Sequence, residues 1–257
     1  MAERDLYAPG TPSWVDLGTP DPGAAAAFYA ALFGWDIEEG PPEAGGYRMC
    51  MLRGRPVAGL GPQQSEGMPP WWTTYISVSS ADETAAAISE NGGHVLVAPM
   101  DVMDVGRMAV ASDPAGAMFS IWQPKSHHGA GIVNEPGTFC WNELTTRQPV
   151  SEVAFYTAVF GWEAVQSGGP MPYVEFHLHD TSVAGMMEMS DGSFPPEMPD
   201  SWSVYFAVAD CDAAAAKVAE LGGSVIMDPT DIPPGRFAVC SDPQGATFQI
   251  MAFTAGM

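Results

Sequence analysis

Basic residues are scarce in this sequence. Nine Lys and Arg side chains stand against 31 Asp and Glu, which gives a formal net charge of −22. A negative field of this size repels phosphate backbones and anionic lipid headgroups. We therefore expect neither nucleic acid nor a membrane surface among the partners, and we interpret most acidic residues as a solubilising surface.

Long apolar runs are also missing. No stretch reaches the roughly 20 apolar residues that a membrane-spanning helix needs. The start of the chain lacks the basic segment followed by an apolar one that is typical of a signal peptide. A cytoplasmic protein is the expectation that follows. With 257 residues, 46% of them hydrophobic, the chain is long enough to bury the cores of two domains.

Cysteine is rare, and the four that occur have no C-x-x-C spacing. We expect Cys50, Cys140, Cys211 and Cys240 to be buried as small apolar residues rather than paired in disulfides or bound to zinc. The sequence also lacks a P-loop, a dinucleotide-binding fingerprint and a G-x-S-x-G nucleophile turn in a supporting context. These absences argue against the enzyme classes that depend on such motifs.

An internal repeat organises the chain. Five blocks recur in one order at offsets of 126 to 130 residues, and in the first copy they are residues 14–17, 28–35, 57–59, 92–93 and 112–117. Residues 125–136 are rich in Gly, Pro and His and show no periodicity, which is typical of a linker. The sequence therefore predicts a first domain over 1–124, a linker over 125–136 and a second domain over 137–257.

Each repeat shows the same alternation of strands and helices. Asp21 and Pro22 favour a helix start and Gly34 favours its end, which predicts a helix over 22–33. The predicted strands of the first repeat cover 13–18, 35–38, 47–52, 56–60, 73–78, 94–98, 107–111 and 117–122, and a second helix covers 82–91. Each repeat is thus predicted to contain two βαβββ units.

Two short motifs resemble a known superfamily. FYAALFGW at 28–35 and FYTAVFGW at 155–162 resemble its helix end, and DPAG at 113–116 and DPQG at 242–245 resemble the turn before its last strand. The superfamily is the vicinal oxygen chelate group, which comprises glyoxalases, bleomycin-resistance proteins and extradiol dioxygenases. The resemblance implies an α+β fold with two tandem glyoxalase-like domains, each a cupped sheet around a ligand pocket.

A closer resemblance narrows the family. GTPSWVDL at 10–17, WNEL at 141–144 and GRFAVCSDPQGA at 235–246 are similar to segments of two-domain actinobacterial glyoxalase-like proteins. Those proteins are typified by a mycobacterial culture-filtrate antigen, and some carry the label of hydroxylase. The resemblance leaves the activity open, because this superfamily contains isomerases, lyases, dioxygenases and proteins that only bind drugs.

Metal-binding members of the superfamily place His or Glu on the first and last strands of each unit. A divalent cation needs three or four converging nitrogen or oxygen ligands. By register, the corresponding positions here are Trp14, Gly59, Tyr75, Ser120, Trp141, Gly185, Tyr205 and Gln249. None of these is His or a carboxylate, so we expect no metal site and no cofactor.

Two carboxylates follow these positions closely. Asp16 and Glu143 lie two residues after Trp14 and Trp141, so each shares a strand face with its Trp. If that face is concave, each repeat keeps one carboxylate in its pocket. The alternative is a solvated residue at a strand end or a helix cap.

The second repeat alone carries a further polar set. Strict alternation over 173–179 places Glu175, His177 and His179 on one strand face. Their functional interpretation is an acid–base pair or an improvised metal site beside Glu143; the alternative is an exposed face of an edge strand. His127 and His128 fall in the predicted linker, where we expect them to be exposed to solvent.

Aromatic residues recur where the strands should line or rim the cups. They are Trp14, Trp71, Trp72, Trp122, Trp141, Trp202, Tyr75 and Tyr205. The first hypothesis is a metal-independent protein that binds a small organic molecule through Trp14, Asp16, Tyr75, Trp141, Tyr205 and Gln249.

Two alternatives stay open. The chain is a glyoxalase-like lyase or a hydroxylase/dioxygenase that uses Glu143, Glu175 and His177 as catalytic residues, or one repeat is structural and the chain acts through surface contacts. These three residues favour the second repeat as the functional one. A monomer or a homodimer fits the sequence equally well.

Overall fold

The computed structural model of the chain describes residues 3–63, 67–167, 173–190, 192 and 194–254. The chain folds into two eight-stranded sheets, one in each repeat. The first copy contains β1 (Pro12–Thr19), α1 (Pro22–Phe33), β2 (Asp36–Glu39), β3 (Arg48–Leu52), β4 (Arg55–Pro62), β5 (Trp71–Ser77), α2 (Ala81–Glu90), β6 (His94–Val102), β7 (Gly106–Ser112) and β8 (Met118–Pro124). The second contains β9 (Phe139–Thr146), α3 (Pro149–Phe160), β10 (Glu163–Ser167), β11 (Tyr173–Leu178), β12 (Thr181–Glu188), β13 (Ser201–Ala207), α4 (Cys211–Glu220), β14 (Ser224–Ile232), β15 (Gly235–Ser241) and β16 (Thr247–Phe253). The predicted α+β tandem of two βαβββ pairs is confirmed.

Both sheets have the same strand order, which in the first copy is β2-β3-β4-β1-β5-β8-β7-β6. The central strands β1 and β4 are parallel, as are β5 and β8, while β1 and β5 run antiparallel. This register sets Asp16 opposite Gly59 and sets Tyr75 between Trp14 and Ser120. Every second side chain on these four strands therefore points to the same face of the sheet.

The first helix begins and ends where its sequence signals lie. The Asp21 carboxylate accepts hydrogen bonds from the backbone N–H groups of Gly23 and Ala24, both at 3.0 Å, and Pro22 occupies the first turn. Gly34 ends the helix in the left-handed region at φ 76°. That conformation is readily available to glycine because it has no Cβ.

The hydrophobic core joins the two repeats. The Phe33 ring on α1 packs 4.9 Å from Phe206 of the second sheet, and Phe155 on α3 packs 6.2 Å from Phe119 of the first sheet. The faces of the sheets that look away from the cups are therefore buried against a helix of the other repeat. Burial of this apolar surface is the main driving force for association of the halves.

Two of the tryptophans predicted for the cups belong to this core instead. The indole N–H of Trp72 donates to the Tyr29 hydroxyl at 3.0 Å, and that of Trp202 donates to the Tyr156 hydroxyl at 2.8 Å. The prediction was wrong for these two, because successive residues of a strand point to opposite faces and Trp71 takes the cup side.

The segment between the sheets is packed rather than free. Ala130 and Ile132 are buried, and the backbone N–H groups of Ala130 and Gly131 donate to the carbonyl groups of Ser13 and Pro56. His127 and His128 are half-buried, which corrects the expectation of solvent exposure. The composition indicated a linker, but it did not reveal that the segment lies against β1 and β4.

The four cysteines are free and buried, as the sequence predicted. Burial raises the pKa of the Cys211 thiol to about 11, so the thiol is protonated at neutral pH. None of the helices in the described part of the chain combines the length and hydropathy that crossing a membrane requires.

Candidate functional site

The concave face of the first sheet, which we call the first cup, contains a cavity of about 300 Å³. Its polar and aromatic lining comes from three strands and from the residue before a fourth: Asp16 of β1, Trp71, Thr73 and Tyr75 of β5, Ser120 of β8, and Tyr47 just before β3. Apolar residues, among them Met68, Leu96 and Met118, complete the wall. A concave, largely apolar site with a few convergent polar groups is the usual form of a small-molecule pocket.

A chain of hydrogen bonds fixes the polar centre of the first cup. The Trp14 indole N–H donates to the Tyr47 hydroxyl at 3.0 Å, and that hydroxyl donates to a carboxylate oxygen of Asp16 at 3.2 Å. The Tyr75 hydroxyl donates to the same oxygen at 2.9 Å, and Thr73 is a further partner of the carboxylate. Asp16 thus faces the cup, which decides between the two alternatives that its sequence position allowed.

Burial and hydrogen bonding shift the pKa of Asp16 in opposite directions. Burial among aromatic rings raises the pKa of the carboxyl to about 6, although the hydrogen bonds from Tyr75, Tyr47 and Thr73 lower it. Burial and the nearby carboxylate also hold the pKa of both phenols well above 10. At neutral pH the cup therefore contains an ionised carboxylate held by neutral donors.

The second sheet repeats this arrangement in the second cup. The Trp141 indole N–H donates to the Tyr173 hydroxyl at 2.9 Å, and the Tyr205 hydroxyl donates to Glu143 at 2.8 Å. Tyr173 is a second partner of Glu143, whose pKa burial raises above its ordinary value. Only 6% of the Glu143 surface is exposed, whereas Asp16 keeps partial exposure toward its cavity.

Glycine makes room for the tyrosine in each cup. A Cβ at Gly59 would lie 1.8 Å from the Tyr47 hydroxyl, and one at Gly185 would lie 1.8 Å from the Tyr173 hydroxyl. The phenol thus occupies space that a side chain at the glycine position would need. Sequence reasoning missed Tyr47 and Tyr173, although both stand at the same offset of 126 as the glycines.

One polar group in each cup has no hydrogen-bond partner among the described residues. These are the Ser120 hydroxyl and the Gln249 side-chain oxygen, which occupy equivalent positions on β8 and β16. Ser120 is 1% exposed and lies beside the Tyr75 hydroxyl. A buried polar atom without a partner costs free energy, so a ligand that bonds to it gains affinity.

The polar set on β11 lies on the same face of the sheet as Glu143, and Glu175 is close enough to raise the pKa of Tyr173 electrostatically. The Glu175 carboxylate accepts a hydrogen bond from Ser182 at 3.0 Å and lies 3.3 Å from the His177 ring. A register shift falls between Phe176 and His177, and His179 lies in the following turn rather than in the strand. His179 therefore does not continue the alternation, and the catalytic role of Glu143, Glu175 and His177 stays a prediction.

His127 packs against two tryptophans of the first sheet. Its ring packs edge-on against Trp14 at 4.5 Å and against Trp122 at 5.7 Å, and its backbone carbonyl accepts a hydrogen bond from the Trp122 indole. Burial lowers the pKa of His127 to about 4, with a smaller contribution from His128. The ring is therefore neutral at neutral pH and acts as part of the aromatic wall.

The donor set does not fit the divalent cation that the superfamily resemblance implies. Among the described residues the first cup offers one carboxylate, whereas the second has Glu143 and, two strands away on the same sheet face, Glu175. Asp16 and Glu143 already accept hydrogen bonds from phenols. Within the described ranges, no three His, Cys, Asp or Glu side chains are grouped so that they could hold a metal ion. Trp, Tyr and Gly occupy the positions where the family places its ligands.

A shallower depression of about 380 Å³ lies on the outer face of the second sheet, between α3 and strands β10 to β12. Its lining includes Pro149, Val153, Val174 and Met186, with Glu188 as the one ionisable group. It contains no aromatic side chain and no convergent set of polar groups. We therefore regard the first cup as the better candidate site.

Sequence comparisons give the same family for both repeats. Residues 14–122 match the family model described as a glyoxalase-like domain. Residues 143–250 match the model described as the glyoxalase/bleomycin resistance protein/dioxygenase superfamily. Together these matches cover most of both sheets.

Relatives extend over nearly the whole chain. The protein is 45% identical to "Putative glyoxylase CFP32" of Mycobacterium tuberculosis, with 98% of each chain covered. It is 39% identical to the anthracycline biosynthesis protein DauV of Streptomyces sp., over 95% of this chain and 94% of the relative.

Solved structures share the fold at low sequence identity. A Mn(II)-bound glyoxalase from Novosphingobium aromaticivorans superposes with a TM-score of 0.67 at 16% identity, over 96% of this chain and 83% of its own. A trihydroxybiphenyl dioxygenase from Sphingomonas wittichii superposes with a TM-score of 0.65 at 15% identity, over 95% and 91%. At this identity the likeness concerns the architecture alone.

Proposed function

The chain belongs to the glyoxalase/bleomycin resistance protein/dioxygenase superfamily, and we propose that within it this protein binds a small, flat organic molecule in its first cup without a metal ion. The observation that carries the proposal is the cavity of about 300 Å³ at the positions where relatives place ligands of a metal. Of those positions Tyr75 and Ser120 line the cavity, together with the carboxylate of Asp16, which lies two residues after Trp14. Rings provide a large contact area at a small loss of conformational entropy.

The geometry supports a defined binding mode. Trp71 is held by a hydrogen bond from its indole N–H to Thr73 at 3.0 Å, so its ring is fixed at the wall of the cavity. Ser120 and Asp16 supply a free hydroxyl and a carboxylate for the polar edge of the ligand. A preorganised wall reduces the entropy that binding costs. The relative DauV is named an anthracycline biosynthesis protein, which is consistent with a polycyclic aromatic ligand here.

The choice of the first cup departs from the sequence expectation, which favoured the second. The described cavity in the first cup and the greater exposure of Asp16 support this choice. Binding by Trp141, Tyr205 and Gln249, with Glu143 in a catalytic role, stays a prediction for the second cup. The charge of −22 further supports a protein without nucleic-acid or membrane partners. A cytoplasmic location and a monomeric or homodimeric state stay predictions.

Calorimetric titration with 1-naphthylmethanol in the presence of a chelator tests the proposal. We expect saturable binding that Trp71→Ala weakens by about tenfold, since stacking and burial of the ring are lost. Met118→Trp, which fills the cavity, should abolish binding. Phe253→Ala removes an exposed ring at the end of β16 and should leave the affinity unchanged. Absence of binding, or binding that needs an added metal ion, would contradict the proposal.

A further inference from the structure

Among the described residues that line the first cup, Asp16 provides the one charged group. Its hydrogen-bond partners Tyr47, Tyr75 and Thr73 are all neutral. None of the nine Lys and Arg residues of the chain, all of which the structure describes, lines the cavity. The negative charge in the cup is therefore held in place but is not balanced by a cation of the protein.

The wall around this carboxylate suits a cation. Tyr47, Trp71 and Tyr75 line the same cavity as Asp16. The face of an aromatic ring carries negative potential and attracts an ammonium group, more strongly when water is excluded. A combination of several rings and one carboxylate is thus complementary to positive charge and unfavourable to negative charge.

The whole molecule reinforces this preference. With 31 acidic and nine basic residues, the chain produces a negative field that concentrates cations near its surface and repels anions. The local charge in the cup and the overall charge therefore have the same sign. A carboxylate-bearing ligand would meet repulsion on approach and again inside the cavity.

From this geometry we propose that the first cup selects an organic cation, a flat apolar body with a protonated amine that pairs with Asp16. The inference rests on the proposed function, since it requires that the first cup binds a ligand. In the bound state the amine lies at the carboxylate oxygens, while the apolar body packs against Trp71 and the apolar wall. The Ser120 hydroxyl remains available to a second polar group of the ligand.

The proposal implies a pH dependence. The groups that face Asp16 are Tyr47, which precedes β3, and Tyr75 and Thr73 from β5, whereas β4 contributes Gly59 opposite the carboxylate. Both phenols stay neutral, because their pKa values lie well above 10. The pKa of Asp16 is about 6, so its charge is present above that pH and lost below it. Binding of a cation should weaken as pH falls through 6.

Three probes with one ring system separate charge from shape. They are 1-naphthylmethylammonium, neutral 1-naphthylmethanol and anionic 1-naphthoate, each titrated calorimetrically at pH 8. We expect the ammonium probe to bind about tenfold more tightly than the alcohol, as a desolvated cation–π and ion pair allows. The naphthoate should bind most weakly. Asp16→Asn should remove the preference for the ammonium probe and retain binding of the alcohol.

Asp36→Asn, which removes one exposed carboxylate from β2, is the matched control for net charge and should retain the order of the three probes. If Asp16→Asn does not fold, the wild type titrated at pH 5 and pH 8 gives the same test, because the preference should fade at the lower pH. Equal affinity for ammonium and alcohol would overturn the charge selection and leave the proposed function intact. No binding of any probe would overturn both.

Discussion

Two glycines determine where the tyrosine side chains of the cups lie. Gly59 and Gly185 lie beside the acidic residue of their cup in the strand register, opposite Asp16 and Glu143. Each leaves the space that a neighbouring phenol fills, at Tyr47 and Tyr173. The phenol then bonds to the acid, so the position of the hydroxyl depends on the absence of one methyl group.

Gly59→Ala should therefore lower the free energy of unfolding by about 1–3 kcal/mol, since the new methyl overlaps the Tyr47 ring and overpacks the cup. Urea denaturation followed by circular dichroism measures the change. Gly18→Ala is the control, because a Cβ there meets nothing within 4 Å. Equal stability of both variants would contradict this prediction, because it would show that the Tyr47 side chain can move away from position 59.

At the residue scale, the alternation of side chains along a strand was a better guide to the cups than the type of each residue. The parity of β1 and β9 predicted that Asp16 and Glu143 share a face with Trp14 and Trp141, and the structure agrees. Tyr47 was missed because its importance arises from a glycine on the next strand, and pairing between distant strands is not visible in one sequence.

At the scale of elements, α3 differs from its counterpart α1 by one buried acid. Glu152 in the first turn of α3 is fully buried beside Asp113 of the first repeat, whereas the equivalent position in α1 is Ala25. Asp113 also accepts a hydrogen bond from the Tyr156 hydroxyl at 2.9 Å. Burial and the neighbouring Asp113 raise the pKa of Glu152 to about 8.

This pair predicts a loss of stability in alkaline solution. The pKa of Glu152 is higher in the folded chain than in the unfolded one, so its stabilising contribution is complete in acid and is lost as pH rises through 8. The Tm of the wild type should fall by several degrees between pH 6 and pH 9. Glu152→Gln should reduce that fall, because the amide carries no charge into the interface.

The control for this prediction is Glu83→Gln, which neutralises an exposed acid in the first turn of α2. It should show the same decline in Tm as the wild type. A Glu152→Gln variant that declines as steeply as the wild type would contradict the assignment of the pH dependence to this pair.

Local signals predicted the elements well, because caps, glycines and apolar spacing act within a few residues. The helix over 22–33 has the predicted bounds, since Asp21, Pro22 and Gly34 each act locally. The strand of β11 illustrates the limit. The predicted alternation holds as far as Leu178, with Glu175 and His177 side by side, but a turn takes His179 out of it.

At the scale of the whole molecule, the repeat predicted two similar sheets but not their interlocking. Phe33 lies in the motif at 28–35 and Phe155 in its copy at 155–162. Each nevertheless packs on the sheet of the other repeat. The duplicated sequence is compatible with separate or joined halves. Only the packing shows that the segment over 125–136 lies against the first sheet, with Ala130 and Ile132 buried.

A crystal structure of the chelator-treated protein grown with 1-naphthylmethanol tests the central claim most directly. We predict density for the naphthalene ring in the first cup against Trp71, with its hydroxyl near Ser120 or Asp16 and no anomalous metal signal beside the carboxylate. An empty first cup, a probe bound only in the second cup or on the outer face of the second sheet, or a metal ion at Asp16 would contradict the account.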